Sequence, residues 1–188
     1  ILYDLRADTD IQTALDESFV HRGVFVGPPG CLFRLYEAPP DADGLLFDNG
    51  MRFHGADVMH NGLPRQWPSA WHEGETIHLR LWWSADRPID HDYSVGTYVV
   101  LEGSGAIAEV NGPPQVIYPA GGPVETSRWQ PGTVYVEDRE LTLPYPLWRV
   151  SLTAALAVYY WEDPVRVDAP GLGDDRLLRL FPVYVMAY

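Results

Sequence analysis

The chain has 188 residues, enough for one domain or a domain with an appendage, and allows a core that needs no staples. Its formal net charge is −13, and all 13 of its cations are arginine. So acidic a surface repels nucleic acid, and the lack of lysine excludes Schiff-base chemistry and a lysine-dependent phosphate loop.

The chain opens on Ile1, which leads us to expect an excised or processed piece with no signal peptide. Residues 1–22 carry the one helical pattern. Ile11, Leu15 and Phe19 fall at helical spacing, and Asp8 or Thr9 is placed to cap the first turn. "GVFVGPPGCLFRLYE" then reads as two short strands around a Gly-Pro-Pro-Gly turn. Its single cysteine, Cys31, cannot form an internal disulfide or a cysteine metal cluster. "APPDADG" follows as a linker, so residues 1–38 are expected to form a helix-and-hairpin appendage.

From Leu45 the pattern changes. Short alternating runs recur near 45–48, 51–59, 75–83, 92–101, 105–110, 133–143, 148–161 and 177–187, separated by Gly, Pro, Asp and Asn. Many short strands with no helix between them indicate an all-β domain over 45–188, an antiparallel two-sheet β-sandwich. In "WHEGETIHLRLWWSAD", Ile77, Leu79, Leu81 and Trp83 share one face, which should be core; Trp82 puts a second large aromatic on the other face. In the run 133–143, Val134 and Val136 have one parity and Leu141 and Leu143 the other, so a β-bulge is expected near Asp138–Glu140. From Trp148 to Trp161, Trp148, Val150, Leu152, Ala154, Leu156, Val158 and Tyr160 share a face that should be core, and Tyr159 and Trp161 should face away from it. Pro182 cannot donate to a ladder, which puts its part of the last strand at an edge or a bulge. The most apolar stretch, Leu152–Trp161, is ten residues long and falls short of a membrane span, so the piece is expected to be soluble.

The order of "FDNGMRFHGADV", "WHEGETIHLRLWWSAD", "HDYSVGTYVVLEGSG", "SRWQPGTVYVEDRELTLP" and "WRVSLTAALAVYYWED" resembles a known module. It is similar to the sandwich at the end of large bacterial membrane proteins resembling the mannosyltransferase superfamily, which takes sugars from polyprenyl phosphate. Gly74, Leu81, Trp83, Ala85, Asp92, Tyr93, Val95, Trp129, Pro131, Gly132, Asp138, Leu143, Pro144 and Tyr159 match its pattern. "VNGPP" lacks the usual Asp before its prolines, and the strand before Tyr159 lacks the common Gly. The resemblance implies an immunoglobulin-like or jelly-roll sandwich without catalytic residues. It also implies an extracytoplasmic position, with residues 1–38 as the tail of a preceding segment and a membrane-embedded parent.

Three kinds of site are candidates. Trp82, Tyr159 and Trp161 would form a sugar-stacking platform if their strands were neighbours; the plainer reading is that residues 1–38 pack over that face and bury Trp82. Trp129 is a loop aromatic that either touches a ligand or plugs one end of the sandwich. Asp41, Asp43, Asp48 and Asn49 in "DADGLLFDNG" resemble part of a calcium loop, although Asp-Gly and Asn-Gly are also turn-forming pairs. No other cofactor is indicated. The six histidines form no zinc pattern, and Glu73, Glu75, Asp92, Glu137 and Asp138 could supply a glycosidase pair only if two faced each other across a cleft. The main expectation is a non-catalytic, extracytoplasmic accessory domain of a membrane glycosyltransferase-like protein, contacting glycans. A protein–protein interaction module and a carbohydrate-active enzyme with paired carboxylates are the alternatives.

Overall fold

The computed structural model describes residues 2–4, 9–28, 32–60, 63–64, 70–147, 150–163 and 165–186. Asp8, Cys31 and Trp148, which the sequence singles out, lie outside them. The chain divides into two compact units, Ile1–Ala42 and Asp43–Tyr188.

The first unit holds β1 (Leu2–Asp4), α1 (Thr9–Ser18), β2 (Val20–Val26) and β3 (Leu32–Glu37). Its sheet runs β1-β3-β2, all antiparallel. The helix is tied to the sheet by chemistry rather than by packing alone. The Tyr36 hydroxyl on β3 donates to Asp16 Oδ1 at 2.8 Å, and Arg34 Nη1 lies 3.5 Å from Asp16 Oδ2.

The second unit holds β4 (Leu45–Leu46), β5 (Met51–His60), β6 (Leu63–Pro64), β7 (Ala70–His72), β8 (Thr76–Ala85), β9 (Tyr93–Leu101) and β10 (Gly105–Gly112). After these come β11 (Val116–Tyr118), a 3-10 turn (Thr126–Arg128), β12 (Tyr135–Thr142), β13 (Val150–Tyr160) and β14 (Leu178–Met186). One sheet runs β10-β9-β13-β14-β7; the other runs β11-β12-β8-β5-β4, with β6 paired to β5. The unit is all-β among the described residues apart from that one turn. One pairing departs from the antiparallel expectation: β7 runs parallel to β14. The short strands β7 and β11 carry too few residues to show a period and escape a reading based on alternation.

Both sheets feed one core. Ile77, Leu79, Leu81, Trp83 and Ala85 of β8 are buried in it, as are Leu152, Ala154, Leu156 and Val158 of β13. The Trp83 ring lies against Phe53, centroids 4.9 Å apart. Burying one such leucine is worth roughly 1.5–3 kcal/mol. Behind the other sheet face, Ala155 and Ala157 form a smaller cluster with Tyr98 and Val100. Pro182 is exposed and lies beyond the stretch of β14 that β7 covers. Next to it the register with β13 skips Leu180, a bulge. Edge and bulge therefore coincide at this proline.

The bulge expected near Asp138–Glu140 is absent. β12 pairs with β8 in unbroken register, from Tyr135 opposite Trp83 to Thr142 opposite Thr76. The parity argument failed because it took Glu137 and Arg139 for outward residues. Both are buried on the same face as Tyr135 and Leu141, and Val136 belongs to the opposite face. Glu137 accepts from Trp83 Nε1 at 2.8 Å, from Arg139 Nε at 2.8 Å and from Gln115 N at 3.0 Å. Arg139 Nη2 donates to the carbonyls of Gly112 and Pro113. Desolvating an ion pair is costly, and these added bonds are what make the burial tolerable.

Urea denaturation should show Glu137→Ala losing about 3–5 kcal/mol, because Arg139 is left buried without its counter-charge. Adding Arg139→Met should recover part of that loss. Leu152→Ala, which opens a cavity in the shared core, should cost about 2–5 kcal/mol.

Candidate functional site

Three loops from both sheets of the second unit converge on an open cleft of about 710 Å³. They are the β4–β5 turn with Asp48 and Asn49, the β8–β9 connection from Arg87 to Tyr93, and the β13–β14 connection up to Arg176. Backbone bonds hold them together: Asp48 N donates to Asp168 O at 2.9 Å, and Asp86 N donates to Gly50 O at 2.9 Å. Gly50 has φ +94°, and a Cβ there would meet Arg87 Cγ at 2.8 Å. A side chain at this position would therefore distort the turn and the arginine together.

The aromatic part of the cleft comes from the adjoining ends of β9 and β13. Tyr93 and Tyr160 are opposite each other in the ladder. Tyr160, expected in the core, is half-buried and lines the cleft because β13 ends there. The His91 ring stacks on Tyr160, centroids 4.8 Å apart and planes 25° apart, and Tyr93 lies 6.1 Å from Tyr160. Both phenols are fixed by carboxylates: the Tyr160 hydroxyl donates to Glu162 at 2.7 Å and the Tyr93 hydroxyl to Asp90 at 3.2 Å. The Glu162 bond raises the Tyr160 pKa above its ordinary value, and burial with Asp90 raises that of Tyr93. Both rings therefore stay neutral hydrogen-bonding groups.

The polar part is set by backbone contacts that hold three guanidinium groups in place. Arg87 Nη2 donates to Asp48 O, Arg166 Nη1 to Asp175 O at 2.7 Å, and Arg176 Nη1 to Arg166 O at 2.6 Å. Arg176 is the one non-glycine residue with positive φ among the described residues, at +49°. Such a conformation costs on the order of 1–3 kcal/mol and tends to sit at functional sites. Asp48, Asp90, Asp163 and Asp168 add exposed carboxylates to the same cleft.

A second groove of about 470 Å³ lies on the other side of the β13 end. Tyr159, Trp161 and Val124 line it beside Asp92, Asn111 and Glu125, and Tyr93 borders both spaces. Trp161 is 65% exposed, its ring edge-on to Tyr160 at 6.3 Å. Beneath these loops Thr126 is fully buried and acts as a joint, accepting from Tyr93 N at 2.8 Å and donating to His91 O at 3.0 Å.

The platform expected from Trp82, Tyr159 and Trp161 does not form. β8 lies between β12 and β5, whereas β13 lies between β9 and β14, so Trp82 is in the other sheet. Trp82 is also only 1% exposed, and its indole N–H donates to Asp57 Oδ2 at 2.9 Å. Tyr159 and Trp161 do come together, in the second groove. Trp129 is buried, stacks on Tyr135 at 4.4 Å and donates to Pro123 O at 3.0 Å, so it plugs the sheet end and is closed to a ligand.

The calcium candidates separate. Asp48 and Asn49 line the cleft, whereas Asp41 and Asp43 precede β4, are exposed and are not among the residues that line it. Asn49 Oδ1 accepts from Met51 N at 3.1 Å, the bond of a side-chain-closed turn. No group of three or more His, Cys, Asp or Glu side chains among the described residues is arranged to hold a metal ion.

The carboxylates considered for hydrolysis are bonded into separate places. Glu73 accepts from Leu147 N, Glu75 from His72 N and Asp92 from Ser127 N, while Asp138 pairs with Arg80 and Glu137 is buried. No two of the five line the same cavity among those described above. Sequence reading missed His91, Arg87, Arg166 and Arg176. They lie in irregular loops, where no period marks which side chains converge.

No protein-family profile matches the chain, and no curated protein matches it. Among solved structures it is similar to the C-terminal domain of Wzt, at 10% identity and TM-score 0.45, over 76% of this chain and 77% of that one. It is also similar to a Niemann-Pick type C2 protein from Japanese carpenter ant, at 10% identity and TM-score 0.43, over 74% of this chain and 98% of that one. Likenesses this distant carry no functional argument.

The turn below the cleft has an electrostatic anchor. Arg52 donates to both carboxylate oxygens of Asp86, at 2.8 and 2.6 Å, which holds the Asp86 pKa below the usual range. Its stabilisation is present above the unfolded carboxylate pKa, near 4, and is lost as pH falls through the lowered folded value. Solvent screens the half-buried pair, so the effect is small. In a melting-temperature series below about pH 4, Asp86→Asn should flatten the acid dependence.

Proposed function

We propose that residues 45–188 form a β-sandwich of the immunoglobulin-like or jelly-roll type that binds a glycan in the cleft and performs no chemistry on it. The observation that carries this reading is the open cleft in which a His91–Tyr160–Tyr93 aromatic cluster adjoins fixed arginines, aspartates and Asn49. A pyranose offers an apolar C–H face and a belt of hydroxyl groups. An aromatic ring accepts the face, and charged or amide groups accept and donate to the belt.

The arrangement favours binding over hydrolysis. A glycosidase acid must be kept protonated by burial or by a close like charge. Asp48, Asp90, Asp163 and Asp168 are all exposed. The position outside the cytoplasmic membrane, and the role as an accessory domain of a glycosyltransferase-like membrane protein, rest on the resemblance described above. On that proposal the cleft would hold the acceptor glycan near its enzyme.

A glycan array followed by titration calorimetry tests the reading. Tyr160→Ala should weaken the best glycan by about tenfold, the worth of one lost aromatic contact. Trp129→Phe, whose ring is closed off from the cleft, should leave affinity unchanged in the folded protein. An array without a ligand, or affinity indifferent to Tyr160→Ala, would remove the proposal.

A further inference from the structure

The groove beside the β13 end differs from the cleft in the sign of its charge. Its charged lining residues are Asp92 and Glu125, both acidic, and no described arginine or histidine lines it. The cleft, by contrast, mixes three arginines and His91 with its aspartates. Tyr159, Trp161 and Tyr93 supply ring surface to the groove. Trp161 is the one exposed tryptophan among the described residues.

The carboxylates are held in place without being neutralised. Asp92 Oδ1 accepts from Ser127 N at 3.1 Å, a neutral donor, and Asp92 forms no ion pair among the described residues. Glu125 lies 3.4 Å from Arg128, but both side chains are exposed, and such a pair is weak. The walls are set in advance. Tyr93 N donates to Thr126 Oγ1 at 2.8 Å beside Glu125, the Tyr98 hydroxyl donates to Asn111 Oδ1 at 3.0 Å, and Arg139 holds the Gly112 and Pro113 carbonyls. Walls already ordered lower the cost of binding.

We propose that this groove binds an organic ammonium ion, its charge met by the Trp161 and Tyr159 rings and by the Asp92 and Glu125 carboxylates. An aromatic ring attracts a cation, and tryptophan does so most strongly. The same sheet face already shows such a contact: the Arg166 guanidinium lies over the Tyr98 ring, 5.3 Å from its centroid. The groove rings carry no such internal cation among the described residues. An anion would meet two carboxylates and no lining cation. A metal ion needs more oxygen ligands than two carboxylates supply, and no group of three acidic, histidine or cysteine side chains is found among the described residues. A neutral sugar would leave the carboxylate charge uncompensated. The groove shares only Tyr93 with the cleft, so the proposal stands whether or not the cleft takes a glycan.

Titration of the 188-residue chain at constant ionic strength tests this. The probes are choline and glucosamine, one a quaternary and the other a protonated primary ammonium. Their uncharged counterparts are dimethylbutanol and glucose. Saturation-transfer NMR on the probe reads affinity, and the shift of the Trp161 indole N–H reads the place. At least one ammonium probe should bind saturably and move that signal, and its uncharged counterpart should not. Choline alone assigns the groove to quaternary heads, and glucosamine to protonated amines. Trp161→Leu should weaken the bound probe by about tenfold. Asp92→Asn, which keeps the oxygen that accepts from Ser127 N, should weaken it by about threefold. Both positions are exposed, and circular dichroism checks that the variants fold. Binding of neither ammonium, equal binding of the uncharged counterpart, or affinity unchanged by both substitutions overturns the proposal.

Discussion

The second unit is organised around one buried carboxylate. Glu137 sits on the core face of β12 and draws three groups to itself: the Trp83 indole from β8, the Arg139 guanidinium from its own strand and the Gln115 amide from the β10–β11 connection. That connection is where the chain leaves one sheet and enters the other. Arg139 grips the same connection through the Gly112 and Pro113 carbonyls. The constraint on β12 is strict. A one-residue slip would move Glu137 and Arg139 to the outer face and turn Asp138 and Glu140 into the core, where neither has these partners. The register of β12 against β8 and the crossover between the sheets are thereby fixed by the same group.

The candidate site depends on this frame without sharing its residues. β13 ends in Tyr159 and Tyr160, and Trp161 follows directly, making three aromatics in succession. Strand geometry sends successive side chains to opposite sides, so Tyr160 lines the cleft while Tyr159 and Trp161 line the groove. Gly112 and Pro113, held by Arg139, form part of the groove wall. A rigid pair of sheets thus presents irregular loops, which is the usual division between scaffold and recognition surface. The arginines gain definition from carbonyl contacts, and Arg176 accepts a strained backbone to reach its place.

The outer face of β8 is the other unusual feature. Arg80, Trp82 and Ser84 are all buried although they point away from the shared core. Each has a polar partner on an adjacent strand: Arg80 with Asp138, Trp82 with Asp57 and Ser84 with His54. Burial of a polar group without such a partner costs more than the bond itself contributes, which accounts for the dense pairing.

By itself the sequence determined the all-β character after Leu45, most of the strands, the core faces of β8 and β13 and the special position of Pro182. Each follows from local physics, either the period of two or the missing amide of proline, and local physics is written residue by residue. The helix over Thr9–Ser18 and the hairpin after it were legible for the same reason. Tertiary structure alone decided which strands are neighbours, and so separated Trp82 from Tyr159 and Trp161. It also decided that Glu137 and Arg139 face inward, because a charge is buried only where partners from distant segments meet it. The cleft belongs to the same class. His91, Tyr160, Arg87, Arg166 and Arg176 come from connections far apart in the chain, and loops carry no period from which their meeting could be read.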